Sequence, residues 1–129
     1  MDINMQSGEA LVVTGEPGSD TVGFARGIAR KYGRYAVIGL NALLSPALLR
    51  DILRSSPATV IVEGYPLTTA ARAKVKQLIT TPQFTVHMKG AQPITVRAPH
   101  FIFCTGLQNY IPPDTERRFR VVTLQPRPH

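Results

Sequence analysis

Apolar residues fall along this chain in short runs, separated by stretches patterned at the helical period. The run ALVVTG (10–15) is apolar at consecutive positions and leads straight into a loop containing glycine, the pattern of a strand buried on both faces. In TVGFARGIARKY (21–32), Val22, Phe24, Ala25, Ile28 and Ala29 recur on one helical face, with Arg26, Arg30 and Lys31 largely on the other. YAVIGL (35–40) predicts a second strand, and SPALLRDILRS (45–55) a helix with Ser45 as N-cap and Pro46 in the first turn. ATVIVEGYP (58–66) is a β-branched apolar run that ends in Glu63, and LTTAARAKVKQLIT (67–80) reads as the helix after it.

The rhythm then changes. QFTVHMKGAQPITVRA (83–98) contains two alternating runs around KGAQ, a β-hairpin signal with Gly90 in the turn. HFIFCTG (100–106) and FRVVTL (119–124) supply two more strands. Strands apolar on both faces and separated by helices predict an α/β fold: a three-layer α/β/α sandwich on a mostly parallel five-stranded sheet, with residues 83–98 as an inserted hairpin. The 129 residues form one domain on this reading, with residues 1–9 and 125–129 as loose termini. The chain has no internal repeat and no low-complexity segment.

Charge adds a preference for partners. Fifteen Lys and Arg against eight Asp and Glu give a net charge of +7, which favours polyanions such as nucleic acid. The single cysteine, Cys104, excludes an internal disulfide and any cysteine-based metal site, and its apolar surroundings predict a buried structural thiol. No apolar window is long enough to span a membrane, and the first ten residues, MDINMQSGEA, are acidic and polar where a secretory signal is basic and then apolar. A cytoplasmic protein with no membrane contact is the expectation, and no metal is expected.

The candidate chemistry begins in GEPGSDTVGFARGIARKYG (15–33), a strand-to-helix loop of the phosphate-binding kind. LVVTGEPGS resembles a Walker A loop, TVIVEG a Walker B strand, FIFCTG the strand that carries a polar sensor residue, and DTERRF an arginine-finger segment. With the hairpin between the second and third of these, the order resembles the core of superfamily 3 helicases and the related AAA+ replication ATPases of viruses and mobile elements. The resemblance covers most of the chain. It implies that the hairpin points into the channel of a ring and that its basic residues touch DNA, here His87 and Lys89, with Arg97 on the returning strand.

The loop departs from the pattern of Gly, four variable residues, Gly, Lys, and Ser or Thr. Gly15 is in place, Gly18 suits the turn and Ser19 precedes the helix, but Asp20 stands at the second glycine, Thr21 at the lysine and Val22 at the magnesium-binding hydroxyl. A carboxylate at Asp20 is expected to cap the helix and occupy the N–H donors that would hold phosphate. Loss of the lysine and addition of this charge each cost roughly 1.5–3 kcal/mol, together about a thousandfold or more in affinity. Arg26 lies about 140° around the helix from Thr21, and Lys31 about 15 Å along it, so neither replaces the lysine.

The rest of the machinery is depleted in the same way. Glu63 is followed by Gly64, leaving one acid where the family has two, and the sensor position falls on Gly106, with Asn109 beyond the strand. Glu63, Arg117 and Arg118 are vestigial catalytic candidates; Glu63 also suits a structural role beside a helix N-terminus, and the arginine pair a solvated edge or an ion pair. Arg72, Lys74 and Lys76 either extend a phosphate-binding stripe or form the wet face of a sandwich helix. Tyr65, Phe84 and Tyr110 are too few for a base-stacking platform.

The combined reading is a pseudo-ATPase, not an efficient enzyme, that binds nucleic acid or a replication partner and needs no cofactor. Two alternatives remain open at this stage. One is a nucleotide-binding enzyme, with ATP and magnesium, whose loop is completed in a homo-oligomer by Arg117 or Arg118 of a neighbouring copy. The other is a module that regulates an intact partner ATPase.

Overall fold

The computed structural model describes residues 3–6, 8–16, 19–87, 89–106 and 118–124. Five strands, β1 (Ala10–Gly15), β2 (Tyr35–Gly39), β3 (Thr59–Glu63), β6 (His100–Gly106) and β7 (Phe119–Leu124), form one sheet in the order β2-β3-β6-β1-β7, and every neighbouring pair in it is parallel. Between β3 and β6 the chain forms a separate two-stranded antiparallel unit, β4 (Gln83–Val86) and β5 (Ile94–Arg97). The sandwich, the five-stranded parallel sheet and the inserted hairpin are those the sequence predicts.

Period-two alternation divides the apolar residues of each strand between two layers. Ala10, Val12, Val60, Val62, Phe101 and Phe103 face a core shared with α2 (Leu40–Leu43), α3 (Pro46–Leu53) and α4 (Thr69–Thr80). Leu11, Val13, Ile61, Ile102 and Cys104 face the other layer, built from α1 (Thr21–Ala29) and the N-terminal segment. A sheet covered on both sides needs strands apolar at every position, and for this reason the runs read as continuous and not alternating. Tyr65, Phe103 and Phe119 pack edge-on in the first layer, with ring centroids 5.8–6.4 Å apart.

Local signals fix the helix ends. Ser45 caps α3 by accepting from the Leu48 N–H, with Pro46 at the first position as expected. Thr68 caps α4 through the Ala71 N–H. Helix α1 is shorter than its periodic pattern: after Ala29 the last turn tightens, with Lys31 and Tyr32 donating to carbonyls three residues back.

Three further differences from the sequence reading have physical causes. Strand β2 ends at Gly39, its last partner to β3, and Leu40 opens the unexpected helix α2, which buries Leu43. Leu40, Leu43 and Leu44 stand at i, i+3 and i+4, the signal for that turn. The N-terminal segment is not loose where it is described: Ile3 is buried in the α1 layer, and the Met5 N–H donates to the Tyr32 hydroxyl at 2.8 Å. Finally, the hairpin does not stand clear of the body, since Val86 and Val96 are buried and Phe84 half-buried against the α3 and α4 layer. Residues 125–129 lie outside the described set.

The aromatic cluster carries the first prediction. Phe103 has no exposed surface, so Phe103→Ala is expected to cost about 3–5 kcal/mol, whereas Leu48→Ala, at a half-exposed helix position, stays within about 0.5 kcal/mol. Urea denaturation of the two variants beside the parent measures both.

Candidate functional site

The carboxyl ends of the parallel strands gather the residues of the loop. Strand β1 lies between β6 and β7, while α1 carries the chain from it to β2 at the far edge, so the order reverses beside β1. In open α/β sheets a ligand crevice lies at such a switch point. Here register sets Gly15 beside Gly106 and Glu63 beside Cys104. Just beyond Gly15 the chain turns tightly, with the Ser19 N–H donating to the Glu16 carbonyl at 3.0 Å.

The loop folds back so closely that a Cβ on Gly15 would lie 2.8 Å from the Ser19 Cβ, a separation that only glycine allows. The Ser19 hydroxyl is buried and has no hydrogen-bond partner among the described residues. Gly18 lies outside those residues.

Asp20 is the N-cap of α1, and its carboxylate accepts the Gly23 N–H at 2.8 Å. The side chain lies directly over Gly23, where an added Cβ would fall 2.1 Å from Oδ2. The carboxylate thus caps the start of α1, the helix-capping role the sequence predicts for it. Thr21 begins the helix, and the half-buried Val22 packs with the α1 core.

Cys104 reports the local field. Its Sγ–H donates to the Thr21 carbonyl at 3.6 Å. Burial, helped by the charges of Glu63 and Asp20 and opposed by that hydrogen bond, pushes the thiol from 9.0 up to about 11. The expected buried structural thiol is thus observed, 5 % exposed and protonated at neutral pH. Glu63 itself is exposed at the strand end.

The other candidates lie elsewhere. Arg118 immediately precedes β7 and donates to the Gly8 carbonyl at 3.4 Å, while its own carbonyl accepts from Ala10. This is the amino end of the sheet, roughly 20 Å along β1 from the loop. Arg117 lies outside the described residues, as do Asn109 and Tyr110. His87 and Lys89 are exposed at the hairpin tip, but Arg97 pairs with Gln83 at its base. Three residues of β5 separate Arg97, on the returning strand, from the tip.

Much of the remaining positive charge is engaged within the chain. Arg72 lies 5.9 Å from the Tyr65 ring and donates to the Pro66 carbonyl, and Lys74 donates to the Leu44 carbonyl that closes α2. These contacts favour the reading of α4 as a sandwich helix. Sequence reasoning missed Lys74 because its partner lies 30 residues away. Among the described residues, no group of three or more His, Cys, Asp or Glu side chains could hold a metal ion. No helix of the structure is long and apolar enough to cross a membrane.

The thiol yields the second prediction. Cys104 in the folded protein is expected to react slowly with a disulfide reagent at pH 8, with the rate still climbing above pH 10. Its raised value adds stability that is present in full below about pH 9 and is lost as pH rises through about 11. Asp20→Asn keeps the cap and removes a charge, so it should speed the thiol reaction with little change in stability. Asp20→Ala should cost about 1 kcal/mol as well. Thiol kinetics and denaturant midpoints, measured on the same samples, separate the two effects.

No family model matches the sequence, and no curated protein is similar enough to count as a match. Solved structures do match in shape. The apo A form of the NrS-1 C-terminal region has a TM-score of 0.61 at 19% identity, over 92% of this chain and 29% of that one. A second apo structure of that region gives 0.61 at 17%, over 92% and 30%. A ligand complex of JCV helicase gives 0.59 at 15%, over 94% of this chain and 37% of the helicase chain. This chain spans about a third of the length of the proteins it matches, and what it shares with them is their α/β fold.

Proposed function

We propose that this protein is a catalytically degenerate member of the P-loop ATPase fold, associated with nucleic acid or with a replication assembly, and that it does not hydrolyse ATP efficiently. The observation that carries the reading is the Asp20 carboxylate, bonded to the Gly23 N–H at 2.8 Å and seated over the start of α1. Phosphate oxygens need those N–H groups free and a lysine beside them. At the lysine position Thr21 offers no cation, and at the metal-binding position Val22 offers packing in place of a hydroxyl.

The fold shared with JCV helicase supports nucleic acid as the partner class. The exposed hairpin tip with His87 and Lys89 is the surface proposed to meet it, through the backbone phosphates and so without strong sequence preference. An oligomer, or a place in a partner ATPase's ring, would bring several such tips together.

Two measurements test the proposal. Calorimetry with ATP and ADP, with and without magnesium, is expected to show no binding by the parent and binding by the triple variant Asp20→Gly, Thr21→Lys, Val22→Thr. Micromolar binding by the parent would overturn the pseudo-ATPase reading. For the hairpin, Lys89→Ala should weaken single-stranded DNA binding and lower the slope of log K against log salt by about 1. An unchanged slope removes the hairpin as the contact.

A further inference from the structure

The end of the sheet opposite the loop holds a cleft that the proposed function does not use. It has a volume of about 410 Å³ and is bounded by Tyr32 after α1, Ser56 to Ala58 before β3, and Arg97, Ala98 and His100 at the entry to β6. That size falls in the range of small-ligand sites. Arg97 and His100 also border a second cleft, of about 360 Å³, on the other side of the same segment.

The polar side chains of the first cleft are those of Arg97, His100, Tyr32 and Ser56, with no acid among them. Arg97 is exposed and has no ion pair among the described residues. Arg34 adds a second cation nearby, since it donates to the carbonyl of Ser55, next to Ser56 in the chain. Glu9, the acid bordering the second cleft, is already paired, 3.0 Å from the Arg120 Nε. An anion entering beside Arg97 therefore meets uncompensated positive charge.

The cleft also presents an aromatic wall. The Tyr32 and His100 rings lie 5.1 Å apart at 58°, and the Met5 N–H holds the tyrosine by its hydroxyl. Burial first, and Arg97 second, keep the His100 imidazole below its usual value, so at neutral pH it is an uncharged ring. Half-buried rings fixed in place are surfaces on which a nucleobase stacks at low entropic cost.

We infer that this cleft binds a nucleotide unit, its phosphate on Arg97 and its base against the Tyr32 and His100 rings. A nucleotide combines the two chemistries the walls offer, which neither inorganic phosphate nor an uncharged aromatic does. The unit comes either from a free mononucleotide or from a phosphorylated strand. The site lies apart from both the Asp20 loop and the hairpin tip, so it stands independently of the function proposed above.

The test is a titration of the full chain with thymidine 5′-monophosphate, followed by amide chemical shifts and calorimetry. Shifts should centre on Ser56, Ala58, Ala98 and His100. Thymidine and inorganic phosphate should each bind about tenfold or more weakly than the monophosphate, and Arg97→Ala should weaken it by a similar factor. Tyr32→Phe keeps the ring and should bind within about twofold of the parent, whereas Tyr32→Leu should not; the amide spectrum establishes that each variant is folded. Competition by a 5′-phosphorylated oligothymidine identifies a strand as the source, and absence of competition identifies the free nucleotide.

Equal binding of inorganic phosphate would overturn the nucleotide assignment. Undiminished binding by Arg97→Ala, or shifts confined to the hairpin tip, would overturn the cleft itself. Strand binding that depends on Lys89 without monophosphate binding would sink this inference and leave the hairpin reading intact, and the reverse result would do the opposite.

Discussion

Strand β1 must find partners on both edges, and the other positions in this fold follow from that requirement. Its side chains are buried on both faces, so its N–H and C=O groups have no water to turn to and must bond along β6 on one side and β7 on the other. Both pairings are parallel and share one register, which places every strand end in common at the two rims of the sheet. The carboxyl rim receives the Asp20 loop, Glu63 and Cys104. The amino rim receives Arg118, Arg97, His100 and, through the turn after α1, Tyr32. One ladder of hydrogen bonds thus separates two chemically different ends, one holding Asp20 and Glu63, the other Arg118, Arg97 and His100.

Formal charge gives a poor account of this molecule's surface. The net +7 suggests a broadly cationic protein, yet Arg34, Arg72 and Lys74 are tied to carbonyls of their own chain, and Arg120 to Glu9. Some of these cations stabilise the fold more than they advertise for partners: Lys74 closes the last turn of α2 where the helix dipole is negative. At the start of α1 two carboxylates, Glu63 and Asp20, add a small negative contribution to the burial that raises the Cys104 thiol. Partner preference follows from which charges remain unspent; among the described residues Lys89 at the hairpin tip and Arg97 at its base are two of these.

What was legible in the sequence was whatever depends on near neighbours. The Ser45 and Asp20 caps join residues three apart, so a single window contains both donor and acceptor. The strands were legible because burial on two faces leaves no polar position in the run. The cleft was not, because Tyr32 and His100 come from the ends of different elements and meet only when β3 and β6 pair. The height of Arg97 along the returning strand was not legible either, since only the register with Gln83 shows it at the base of the hairpin. The N-terminal segment looked loose because its one strongly apolar anchor, Ile3, sits among polar residues.

The contact between Asp20 and Gly23 bears on how this loop can change over time. Gly23 leaves the space into which the Asp20 carboxylate folds, and the carboxylate in turn supplies the cap that a helix weakened by an internal glycine needs. The two residues are therefore coupled: replacing Asp20 alone uncaps a helix containing glycines, and a Cβ at position 23 requires the Asp20 carboxylate to shift. Change at the start of α1 is thus coupled, and a path that alters one of the two residues before the other passes through a less stable intermediate.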